Sequence, residues 1–87
     1  MDWRRRLADY GRAKAEHEHA ERLLADALTR HDTARRAGDR PLEPLVAGVE
    51  LARRRALSLS RRLTQATFNL TLGRPLDEVL WSLPDEL

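Results

Sequence analysis

Cysteine is absent from this 87-residue chain, which excludes a disulfide framework, thiolate metal ligands and a cysteine nucleophile. Glycine and proline number only four each, so the chain has few places at which to break a helix. Lysine is nearly missing as well, with Lys14 the sole example. Almost all positive charge is therefore arginine, which stays ionised far above neutral pH. That reconciles a formal net charge of only +2 with a sequence pI near 9.9. No run approaches the roughly 20 apolar residues that span a bilayer. The basic start Met1-Asp2-Trp3-Arg4-Arg5-Arg6 is followed by no apolar stretch and does not read as a secretory signal. These absences point to a soluble, cytoplasmic chain. At this length it holds one domain, residues 1–87, with a modest core of the kind that oligomerisation or very regular helix packing supports.

What is present is helical periodicity. Leu45, Val49, Ala52, Ala56, Leu59, Leu63, Ala66 and Leu70 alternate spacings of four and three. This unbroken heptad seam keeps one stripe of a long helix against a partner helix. Upstream, Ala13, Ala20, Ala27 and Ala34 repeat every seven residues, with Tyr10, His17, Leu24 and His31 beside them. Leu7 and Leu28 extend that face, and alanine on it lets two helix axes approach closely. A first helix is predicted from about Trp3 to Ala37, with Asp2 as N-cap and Gly38 as its stop. Gly11 inside it marks either a weak point or a close helix approach. Residues 38–44, with a glycine, an aspartate and two prolines, form a loop. A second helix is predicted from about Leu45 to Leu72 and a C-terminal segment, in part helical, over 74–87. No strand pattern is present. The expected fold is all-α: a long antiparallel helical hairpin with a short C-terminal helix, dimerising into a four-helix bundle.

From about Leu24 to Asp77 the order of features resembles the coiled-coil hairpin of TolC-type outer-membrane efflux proteins. The carrying segments are Ala34-Arg35-Arg36-Ala37-Gly38-Asp39 at the turn and Gln65-Ala66-Thr67-Phe68-Asn69-Leu70-Thr71-Leu72-Gly73-Arg74-Pro75-Leu76 at the end of the second helix. The resemblance implies a hairpin that packs side by side with copies of itself. The sequence departs from that family in having no barrel strands, no second hairpin and no signal sequence, so export is not implied.

Several constellations bear on chemistry. His17 and His19 lie about 200° apart on a helix, so they cannot grip one ion, and His31 is about 21 Å further along. His17 with Glu21 reads as a surface pair, and no metal ligand is assigned. Ser58, Ser60, Thr64, Thr67 and Thr71 lack the strand–turn–helix setting that activates a nucleophile, and no phosphate-cradling glycine loop exists. No catalytic residue or cofactor is therefore assigned, and an enzyme is the lesser expectation. A small helical enzyme or ligand binder would need an inter-subunit site lined by arginines, and the seam holds none. Residues 44–73 carry a net charge of +4 and residues 74–87 a net −3. Arg54 aligns with Arg61, and Arg55 with Arg62, one heptad apart. With Arg4, Arg5 and Arg6 this stripe is a candidate anion-binding surface for nucleic acid or anionic lipid, weighed against a solvated face neutralised by Asp9, Glu16, Glu21 and Asp26. Trp81, Leu83 and Leu87 either fold back to cap the hairpin near Trp3 or form a docking peptide, with capping preferred. The leading expectation is a non-catalytic interaction or assembly module. It self-associates as a dimer through Tyr10, Leu24 and Leu28 of helix one and the seam Leu45, Val49, Ala52, Ala56, Leu59, Leu63, Ala66 and Leu70 of helix two, with a further protein partner as an option.

Overall fold

The computed structural model describes residues 3–82, and every regular element among them is helical. Asp2, Leu83, Pro84 and Leu87 lie outside the described residues. Helix α1 spans Trp3–Ala37, α2 Glu43–Thr71 and α3 Leu76–Ser82. Helix α1 is built from arginine, alanine, leucine and glutamate, which lose little side-chain freedom in a helix. It stops where Gly38 takes a φ of 75°, a left-handed conformation that costs a residue without a Cβ nothing. The Gly38 N–H then donates to the Arg35 carbonyl (3.2 Å) and the Asp39 N–H to the Ala34 carbonyl (2.9 Å). That paired pattern is a Schellman cap, and it satisfies two carbonyls the helix end would otherwise orphan.

Helix α2 opens with Pro44 in its first turn, where the missing N–H has no helical partner to lose. The Leu42 carbonyl accepts from the Leu45 and Val46 N–H groups, both at 3.0 Å. The chain thereby reverses, and α1 and α2 pack antiparallel along their lengths in a rod of 56 × 19 × 19 Å. At the far end Leu72 sits at φ 52° and Gly73 at φ 86°. A leucine in the left-handed region costs about 1–2 kcal/mol. The turn is held by the Leu72 N–H on the Phe68 carbonyl (2.6 Å), the Arg74 N–H on the Thr71 carbonyl (3.1 Å) and the Gly73 N–H on Thr71 Oγ1 (3.3 Å). Thr71 is the one buried polar residue among those described.

The core between α1 and α2 is thin. Ala13, Ala20 and Ala34 are buried on α1, facing Val49, Ala56, Leu59 and Leu70 on α2. Ala20 is the most enclosed at 1% exposure, and with Ala56 and Leu59 it forms the central cluster, against which Leu24 packs. The rest of the α2 seam, Leu45, Ala52, Leu63 and Ala66, is half-buried. Tyr10 is half-buried too, and Leu28 is 43% exposed, outside the contact between α1 and α2. Leu28 lies eight residues beyond Ala20, so helical geometry turns it about 80° away from the alanine line.

The C-terminal end corrects one expectation. Val79 of α3 is buried, and the backbone of α3 approaches α2 but not α1. Trp81 is 88% exposed, so it does not cap the hairpin. Trp3 instead carries the Arg4 guanidinium 5.5 Å from its ring centroid. At Gly11 the structure favours the weak point over the close approach. A Cβ built there meets nothing within 4 Å, and the same holds at Gly48 in α2. Neither glycine serves a close approach, so each only weakens its helix. Gly11→Ala and Gly48→Ala are each expected to raise stability by about 0.5–1 kcal/mol. Urea unfolding checks this as a higher midpoint at unchanged slope.

Candidate functional site: an apolar flank and an arginine groove

A two-helix hairpin has two flanks, one on each side of the plane containing its axes. Their chemistry differs here because two periods, of seven and eleven residues, run through these helices. On α1, Trp3, Leu7, Tyr10, His17, Leu24, Leu28 and His31 fall on one side of the alanine line. On α2, Val46, Leu57 and Phe68 recur every eleven residues, three turns plus about 20°, and so rise in a nearly straight row on that same side. These α2 residues are 43%, 53% and 56% exposed. Leu72, just past the end of α2 and in the left-handed region, is also exposed. The result is a largely apolar flank, interleaved with Ser60, Thr64 and Thr67 and bordered by the exposed Glu21, Glu50 and Arg53, that the described residues leave uncovered. The Thr64 and Thr67 hydroxyls donate to the carbonyls four residues back, Ser60 (3.0 Å) and Leu63 (2.7 Å), and so offer little to a polar partner.

The histidines on this flank are tied locally. His17 Nε2 lies 3.1 Å from Glu21 Oε1 one turn on, and His31 Nδ1 is 4.0 Å from Asp32 Oδ1. His19 is exposed and faces away. Among the described residues no three histidine or carboxylate side chains are grouped as metal ligands would be.

The opposite flank is basic and concave. Arg5, Arg6, Asp9, Arg12, Ala13 and Glu16 of α1 face Arg62, Gln65, Ala66 and Asn69 of α2 across an open groove of about 750 Å³. Its floor is alanine from both helices, Ala13 and Ala66, and the small side chains are what make it concave. Arg62 Nη1 donates to Glu16 Oε2 at 3.2 Å, the one ion pair joining α1 to α2 among those described. Gln65 Nε2 donates to Asn69 Oδ1 at 2.9 Å.

The arginine stripe read from the sequence is thus two rows. Adjacent helix positions differ by about 100°, so Arg54 and Arg61 stand on the outer surface of α2 while Arg55 and Arg62 turn toward the groove flank. All four are exposed. The structure brings Arg5 and Arg6, which the sequence groups with the stripe, into one groove with Arg62; the contribution of Arg12 was not visible in the sequence, because it comes from the other helix. The eleven-residue row Val46–Leu57–Phe68 was visible in principle but lies off the heptad. Comparison with protein-family models, with curated proteins and with solved structures returns no match.

The interhelical Arg62–Glu16 pair has side chains 65% and 40% exposed, so water screens it heavily. A double-mutant cycle with Arg62→Gln and Glu16→Gln is expected to give a coupling of about 0.2–1 kcal/mol at low salt. The coupling should shrink when the unfolding titrations are repeated at high salt.

Proposed function

We propose that this chain is a non-catalytic helical assembly module whose apolar flank is covered by a second copy of itself. The observation that carries this reading is the surface the lone hairpin leaves in water. Its accessible surface is 6793 Å² for a mass of 10.0 kDa, whereas a folded monomer of that mass exposes about 5,200 Å². The excess, roughly 1,500 Å², is comparable to what each partner contributes to a large, stable homodimer interface. No large side chain of the described residues is completely buried, and Leu28, Val46, Leu57 and Phe68 stand open together on one flank, with Leu23 and Leu51 exposed singly on the other.

The α2 seam already faces α1, so the association surface is the neighbouring flank: Tyr10, Leu24 and Leu28 with Val46, Leu57 and Phe68. Two such flanks brought together by a twofold axis give a four-helix bundle with the alanine layers inside each hairpin and the larger residues between hairpins. The resemblance to TolC-type hairpins, which pack side by side, supports the same arrangement. Leucine, valine and aromatic side chains interleaved with Thr64 and Thr67, whose hydroxyls already donate to backbone carbonyls, suit an apolar contact better than a site for chemistry.

Sedimentation equilibrium at micromolar concentration should return twice the 10.0 kDa chain mass, with a thermal midpoint that rises with protein concentration. Leu57→Glu combined with Phe68→Glu should give a monomer of reduced helicity. Leu51→Glu, at a leucine 70% exposed on the groove side of α2, should leave the dimer intact. A wild-type monomer with a concentration-independent midpoint would overturn the reading.

A further inference from the structure

We propose that the groove between the N-terminal half of α1 and the C-terminal half of α2 binds a compact polyphosphate anion, either free or as the phosphate chain of a nucleotide. This site is on the flank opposite the self-association surface and does not depend on that reading. Four guanidinium groups line it, from Arg5, Arg6, Arg12 and Arg62, against two carboxylates, Asp9 and Glu16. Arg6 and Arg12 form no ion pair among the described residues. Arg62 is held toward the groove by Glu16 at 3.2 Å, an oxygen that an incoming anion would compete with.

The spacing selects the ligand class. Arg5 and Arg12 stand one heptad apart, about 10.5 Å along α1, and Arg62 reaches in from the other wall. A single small anion satisfies one of these forks. A chain of linked phosphates carries its charges close together and engages guanidinium groups from both helices, each by paired N–H···O contacts. The volume, about 750 Å³, falls within the range of small-molecule sites. The alanine floor leaves the chain room to lie between the helices. Asn69, whose Oδ1 already accepts from Gln65, retains its amide N–H donors at the edge. Among the described residues no wall faces the outer row, Arg54 and Arg61, and neither lines the groove, so the groove rather than that row is the anion site.

The test is a titration of ¹⁵N-labelled full chain with sodium tripolyphosphate, and separately with metal-free ATP, at low ionic strength. Saturable shifts are expected in residues 5–16 and 62–69 in both arms, weakening with added salt. Tighter binding of ATP than of tripolyphosphate would assign the site to a nucleotide, and equal binding to the phosphate chain alone. Arg12→Gln should weaken binding about tenfold. Glu16→Gln should strengthen it severalfold by removing the carboxylate that competes for Arg62, an effect that a purely structural ion pair would not produce. Arg54→Gln with Arg61→Gln should change it less than about twofold, and far-UV circular dichroism controls for folding. Absence of saturable shifts, or equal losses from the outer-row and groove variants, would overturn the proposal. So would tighter binding of random-sequence duplex DNA that is abolished by Arg54→Glu and Arg61→Glu, which would move the anion site to the outer row and to nucleic acid.

Discussion

The close approach of two long helices across a layer of alanine is the constraint on which the rest of this molecule depends. Ala13, Ala20 and Ala34 bring little bulk to the contact, so the backbones of α1 and α2 lie near each other and only Val49, Leu59 and Leu70 add larger buried groups between them. Small residues fill such a contact without voids, yet they remove little apolar area from water per residue. The hairpin is regular and closely apposed but holds few kilocalories of burial. Larger apolar side chains are displaced to its rims.

Both surface features follow from that layer. On one side the rim gathers Leu24, Leu28, Val46, Leu57 and Phe68 into an apolar flank. On the other, the same small residues, Ala13 and Ala66, form the floor of a groove whose walls are arginine, glutamate and amide side chains. A bulkier seam would have filled the groove and covered part of the flank at once. The two flanks are separated by the helix pair itself, so an apolar association surface and a charged groove coexist without one desolvating the other.

The ends of the hairpin are organised differently. At the turn, Gly38 closes a Schellman cap and Pro44 starts the return helix, so backbone groups are satisfied locally. At the open end, the left-handed pair Leu72 and Gly73 swings the chain into α3, where Val79 is buried and Trp81 stands in solvent. An exposed tryptophan and the exposed Phe68 and Leu72 thus collect where the groove also lies, which makes the open end the chemically denser end of the rod.

Much of the fold was legible in the residues. The heptads at Ala13–Ala34 and Leu45–Leu70, the glycine stop and the proline restart are short-range signals. Helix periodicity and capping depend on neighbours within a turn or two, so two long helices packed on each other with a short third follow from reading along the chain. The sites were legible only in pieces. Arg54, Arg55, Arg61 and Arg62 form one basic run in the sequence, but a 100° step per residue divides them between an outer surface and a groove, and the wall that completes the groove adds Arg12, some fifty residues away, to the Arg5 and Arg6 that the sequence grouped with the run. Leu28, eight residues beyond Ala20, is turned about 80° from the alanine line and so stays outside the contact between the two helices. Trp81 looks like a cap in composition and is left exposed because α3 leans on α2 alone. The sequence by itself determined which segments are helical and which stripe of each is small or apolar, since those are properties of local spacing. Tertiary structure alone decided which arginines face each other and which leucines stay wet, because both depend on the rotation and separation of one helix about the other.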